Sequence, residues 1–146
     1  MRTSSSLLGA AALLLAGVSL AARPAPAPAT IQVQGMAGNV DHGRYIVHDV
    51  AMCFECHSPR DAEGNIIQSQ EFDGGPLPVR PPWPNDWALI APRNKGLPGY
   101  DDGQALRLLT EGAIGRDGRQ LRPPMPRFHM TKQDAADVIA YMRSLK

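Results

Sequence analysis

Two thiols three residues apart, with an imidazole directly after the second, occur at Cys53-Phe54-Glu55-Cys56-His57. The chemistry that needs this spacing is attachment of a c-type haem. Cys53 and Cys56 can each form a thioether with one vinyl group, and His57 then lies under the iron as proximal ligand. These are the chain's 2 cysteines, so no thiol is left over. Three other readings compete. A Cys53–Cys56 disulfide, or its active form as a thioredoxin-like redox pair, lacks the strand–helix pattern that would precede it. A zinc site wants four N/S ligands at characteristic spacings, and only His42, His48 and His129 remain to help. Chance occurrence is the third.

An iron held by one histidine has a second face to fill. The downstream candidates are Met125, His129, Met130 and Met142. Met125 sits in Pro123-Pro124-Met125-Pro126, a backbone too stiff to join a helix or ladder, which suits a thioether held toward a metal. The plainer fate for Met125 is an exposed loop methionine or a core gap-filler. Trp83, Trp87, Arg80 and Arg93 lie in or beside a proline-dense stretch. There an indole N–H or a guanidinium can hydrogen-bond a buried haem propionate. The competing reading has Trp83 and Trp87 only covering the haem edge.

The elements that must position these groups begin late in the chain. Residues 1–22 read as an export signal: Arg2 is the positive start, an apolar run follows from Leu7 to Leu20, and Ser19-Leu20-Ala21 has the small-x-small form of a cleavage site. An uncleaved N-terminal anchor is the alternative, although the run is shorter than a comfortable span of roughly 20 residues. Residues 23–38 read as a Pro/Ala-rich spacer, and residues 39–146 as a single domain. A first helix is expected over residues 41–55, capped by Asn39 or Asp41, with His42 and His48 as solvated helix histidines. Residues 58–75 read as polar loop and residues 76–87 as a proline-dense wrap. A second helix starts at Asp101 or Asp102 and ends near Gly112. The last opens at Thr131-Lys132-Gln133-Asp134, with Ala135, Val138, Ile139, Met142 and Leu145 on one stripe.

Composition fits a chain built around something apolar. From Ile31 onward, Leu, Ile, Val and Phe number 24 of 116 residues, with 14 Gly and 14 Pro in the whole chain. That is about the level at which a chain struggles to fold alone. A haem in the middle would supply the missing core, and a long structureless wrap would then have its perimeter to lie on.

Gly43-Arg44-Tyr45 leading into Cys53–His57, then Ser58-Pro59-Arg60, the Met125 loop and a closing Ala140-Tyr141-Met142-Arg143-Ser144-Leu145 helix together resemble a class I cytochrome c. More narrowly, the chain resembles the small cytochrome subunits or domains of periplasmic alcohol- and gluconate-type dehydrogenases. The resemblance covers about residues 40–146. It implies an all-α cytochrome c fold, with N- and C-terminal helices crossing and loops wrapping one covalent haem c. It also implies thioethers at Cys53 and Cys56, with His57 and Met125 as axial ligands. The helix crossing would set Gly43 and Tyr45 or Ile46 against Val138, Tyr141 and Met142. Ala91-Pro92-Arg93-Asn94 is similar to a haem-facing segment of the family but carries an inserted-looking Arg93. The proline carbonyl that receives the proximal histidine's second N–H is left open among Pro59, Pro76 and Pro78.

The function these residues suggest is periplasmic one-electron transfer between a dehydrogenase and a respiratory acceptor such as a terminal oxidase. His–Met ligation saturates the iron and raises its potential relative to nitrogen-only ligation. A haem enzyme or gas sensor, peroxidase-like, would need an exchangeable sixth position. A non-haem secreted module held by a disulfide is the third class. Formal charge is +1 over the whole chain, so nucleic acid is not implied as a partner. A membrane is implied only if residues 1–22 stay attached. Arg116, Arg119, Arg122 and Arg127 gather around the Met125 loop, and Asp61, Glu63, Glu71 and Asp73 gather earlier.

Overall fold

The computed structural model describes residues 26–145, so the export signal read at residues 1–22 lies outside the described residues. Among the described residues, no helix is long and apolar enough to cross a membrane.

The first finding revises the expected spacer. Strands β1 (Thr30–Val33) and β2 (Met36–Asn39) form an antiparallel hairpin around Gln34-Gly35. Both turn residues have positive φ, 50° and 79°, the backbone that a tight two-residue hairpin needs. The hairpin belongs to the core. Val33 is fully buried, and a Cβ on Gly38 would stand 2.6 Å from Ala136 O and 2.7 Å from the Ala140 side chain. Gln133 Nε2 donates to Ala37 O at 3.0 Å. Period-2 patterning over four-residue strands is too short to read, and it is the last helix that stabilises them.

The expected helix over residues 41–55 is three pieces. Helix α1 (Val40–Tyr45) is capped by Asn39, whose side chain accepts from the N–H groups of Asp41 and His42. A π-helical turn follows (Ile46–Val50), closed by Ala51 N–H donating to Ile46 O at 2.7 Å. Met52, left-handed at φ 49°, ends the run, and helix α2 (Cys53–His57) starts directly after it. Such wide turns commonly sit beside functional sites.

Helix α4 (Lys132–Ser144) is the organiser. Thr131 caps it by accepting from Asp134 N–H at 3.1 Å, while its hydroxyl donates to Asp134 Oδ2 at 2.8 Å. Ala135 through Met142 are all buried, beyond the single stripe read from the sequence, because the hairpin and α1 cover one side and the cavity described below borders the other. Helix α1 crosses it at Gly43, where a Cβ would lie 2.5 Å from the Asp137 carbonyl carbon and 2.9 Å from Tyr141 Cβ. Next to this contact the buried Asp137 carboxylate accepts from Asn39 N–H (2.8 Å), His42 Nδ1 (2.7 Å) and Gln133 Nε2 (2.8 Å). One turn on, His48 Nε2 pairs with Tyr141 OH at 2.8 Å, its ring packed between Phe54 and Phe72. Both histidines are thus interhelical partners: His42 remains exposed to solvent as expected, whereas His48 is half-buried.

Helix α3 (Asp102–Thr110) opens with a capping box: Asp101 accepts from Gln104 N–H at 2.7 Å, and the Gln104 side chain accepts from Asp101 N–H at 3.0 Å. Arg143 ties α4 to this end by donating to Gly96 O (2.7 Å), Tyr100 O (2.6 Å) and Asp102 Oδ1 (3.2 Å). A second short antiparallel pair joins β3 (Gly75–Pro76) to β4 (Ile90–Ala91), with the proline-dense wrap as its connection. The all-α expectation is corrected to this extent: a helical core carries two small two-stranded sheets.

Candidate haem-attachment site

Cys53 and Cys56 lie three apart on α2 and therefore share one helix face. Both are free thiols and both border a cavity of about 530 Å³. Its walls include Leu77, Ile90, Leu97, Leu109, Leu121 and Phe128, contributed by every segment from the wrap to the start of α4. The size falls within the roughly 300–1,000 Å³ of cofactor-sized sites. Burial pushes the Cys53 thiol up to about 11, and it also raises Cys56. Low-pKa activation of the redox-pair kind is therefore missing at this motif.

His57 closes α2 and is buried against the same cavity. Its Nδ1 donates to Pro92 O at 2.9 Å, so Nε2 carries the lone pair. Burial lowers the affinity of the ring for a second proton, and the Pro92 bond only partly offsets this. The imidazole is neutral and oriented, as a metal ligand must be. Pro92 is the acceptor left open in the sequence, and Pro59, Pro76 and Pro78 are not. Pro92 directly follows β4, whose pairing with β3 brings this part of the chain beside α2. The adjoining turn is held by Gly74 N–H donating to His57 O at 2.7 Å. Arg60 donates to Glu55 O at 3.1 Å and so satisfies another carbonyl at the end of α2.

Met125 also borders the cavity, from the proline loop between α3 and α4. Met142 does too, on α4, whereas His129 and Met130 do not. Of the suggested propionate contacts, Arg93 reaches the cavity and pairs with Asp73 at 3.3 Å. Trp83 is 66% exposed, and neither it nor Trp87 borders the cavity. The wrap meets the Met125 loop through its backbone: Ala88 N–H donates to Pro123 O, and the carbonyls of Asp86 and Trp87 accept from Arg122. Polar wall residues that the sequence reading did not assign to the haem are Tyr100, Arg116 and Arg122. For the two arginines the only signal was the cluster around Met125, and for Tyr100 there was none.

The walls fit a haem c. Two thiols, a lone-pair imidazole nitrogen and the methionines Met52, Met125 and Met142 border one apolar chamber. Asn94 Oδ1, at its wall, is buried without a partner among the described residues, as expected where another group completes the wall. No curated protein gives a significant match to the chain. The family model described as cytochrome c matches residues 40–146, taking in both helices of the crossing, the thiol pair and the Met125 loop. With that match over most of its length, the chain belongs to the cytochrome c family, a haem-binding electron carrier whose cofactor is covalent haem c.

Proposed function

We propose that the protein is a periplasmic one-electron carrier with thioether links at Cys53 and Cys56 and axial ligands His57 and Met125. The observation that carries this reading is that His57 and Met125, 68 positions apart, border one apolar cavity. Haem c supplies a single exchangeable electron at its iron. The chain's part is to hold that centre. Pro92 fixes the tautomer and direction of His57, the apolar walls exclude water, and the Met125 thioether would hold the bound group together with His57 and compete with exogenous ligands for it. A filled sixth position favours a carrier over a peroxidase-like enzyme or gas sensor. The reading of residues 1–22 as an export signal supports the periplasm, where thioether attachment belongs. The partners are a dehydrogenase as donor and a respiratory acceptor.

The test is the spectrum of the purified ferric protein. A weak red sulfur-to-iron charge-transfer band is expected, lost in Met125→Ala together with a gain in affinity for carbon monoxide in the reduced form. A spectrum unchanged by Met125→Ala but altered by His129→Ala would transfer the ligand role to His129.

A further inference from the structure

We infer that Arg122 is the positioning residue for Met125, acting through a brace formed by residues 86–92; this rests on the reading of Met125 as distal ligand. Residues 121–126 run Leu-Arg-Pro-Pro-Met-Pro, so three of six positions have no N–H, and the loop cannot hold itself through its own backbone. One end is tied where Leu121 N–H donates to Ala113 O at 2.9 Å. Every other tie in this stretch goes to the wrap. Ala88 N–H donates to Pro123 O at 2.7 Å. Arg122 Nε donates to Asp86 O, and its Nη2 donates to Trp87 O at 2.9 Å.

These are contacts of position rather than charge. Arg122 makes no ion pair among the described residues, and its guanidinium reaches two consecutive carbonyls with two nitrogens of one rigid plane. A lysine ammonium, a point charge on a flexible stem, does not reproduce that fork. The receiving segment is itself anchored at its far end. Leu77 N–H donates to Leu89 O at 3.0 Å, β4 pairs with β3, and Pro92 O accepts from His57. A single seven-residue stretch therefore touches the proximal imidazole at one end and the methionine loop at the other. Freed from Arg122, residues 122–126 keep only the Pro123 bond to this brace, and Met125 is less able to exclude a competing ligand.

The experiment titrates imidazole into the ferric holoprotein and compares wild type with Arg122→Gln, Arg122→Lys and Arg119→Gln. Arg119 is the charge control, because it lies three residues away, its side chain pairs with Asp117 at 3.5 Å rather than with the wrap, and it does not border the cavity. Arg122→Gln and Arg122→Lys should both bind imidazole about tenfold more tightly, the scale set by losing one or two carbonyl bonds. Arg119→Gln should bind as wild type does. Amide exchange at Ala88 should quicken in both Arg122 variants while exchange in α4 is unchanged, which separates a loosened brace from general unfolding. An Arg122→Lys variant that binds imidazole as wild type does would overturn the proposal, as would an Arg119→Gln variant that matches Arg122→Gln, since charge would then be the cause. Absence of the red band in wild type would overturn the ligand reading itself, and the role of Arg122 with it.

Discussion

Gly43→Ala sets two effects of opposite sign against each other. Helix propensity alone favours alanine over glycine by about 1 kcal/mol. The crossing opposes it. The new Cβ would stand 2.5 Å from the Asp137 carbonyl carbon and 2.9 Å from Tyr141 Cβ. Ordinary carbon contacts are about 3.5–4.0 Å, so α1 and α4 must part by roughly 1 Å. Backbone cannot swing aside as a long side chain can, and overpacking of this kind costs about 1–3 kcal/mol. The same movement stretches the bonds that Asp137 receives from Asn39 N–H and His42 Nδ1, now 2.8 and 2.7 Å, beyond useful range. Hydrogen bonds to a charged acceptor contribute about 1.5–3 kcal/mol each. Allowing for partial relaxation and the propensity gain, a net loss of about 3–5 kcal/mol is expected. That is a large share of the roughly 5–15 kcal/mol by which domains are stable. Urea unfolding of the holoprotein measures it, as a lower midpoint at unchanged slope. A loss under about 1 kcal/mol, or a gain, would mean that the helices can separate cheaply and that Gly43 does not fix the crossing.

Asp137 provides a pH test. Burial pushes its carboxyl up, but the bonds from Asn39 N–H, His42 and Gln133 outweigh this and leave it below the ordinary 3.8. A carboxyl lower in the folded than in the unfolded state contributes stability above that ordinary value and loses it as pH falls through the folded value. Asp137→Asn should therefore flatten the acid limb of the stability profile below pH 3.8, read by urea midpoints over a pH series; an unaltered limb would assign acid sensitivity elsewhere. Docking provides another. Arg119 has an 87% exposed side chain and Arg127 is exposed on the loop that leads into α4, so both are available to an acidic partner beside the Met125 loop. Reversing both to Glu should slow second-order electron transfer at low ionic strength and flatten its salt dependence in stopped-flow mixing with the partner, with the visible spectrum untouched. A rate indifferent to salt and to reversal would leave docking to the exposed apolar residues Ile90 and Leu89.

What could be read from the sequence was what local chemistry specifies. The thiol–thiol–imidazole spacing, the caps at Asp101 and Thr131 and the stiffness around Met125 are each complete within a few residues. What escaped reading depends on distant parts of the chain meeting. Any proline carbonyl can accept from His57, and the pairing of β3 with β4 is what brings Pro92 to it. Residues 30–39 carry too little periodicity to announce a hairpin, and Gly38 acquires its purpose only against Ala136 and Ala140. His42 and His48 look like surface residues until α4 brings Asp137 and Tyr141 to them. Trp83 and Trp87 promised donors by residue type. The wrap uses the Trp87 carbonyl instead, and a backbone atom is invisible to any reading of side chains.

The crossing at Gly43 also has a consequence in time. Its two halves come from opposite ends of the domain, and α4 follows every other described element along the chain. Until residues 132–144 exist, α1 has nothing to cross, and the thiols of Cys53 and Cys56 face no completed wall. Emergence of the chain N-terminus first therefore leaves an interval in which the attachment motif is fully formed as sequence and open to a modifying enzyme. Closure of the last helix ends it by completing the wall of the cavity that Cys53 and Cys56 border. A chain that folds unmodified holds both acceptor thiols half-buried against that finished wall.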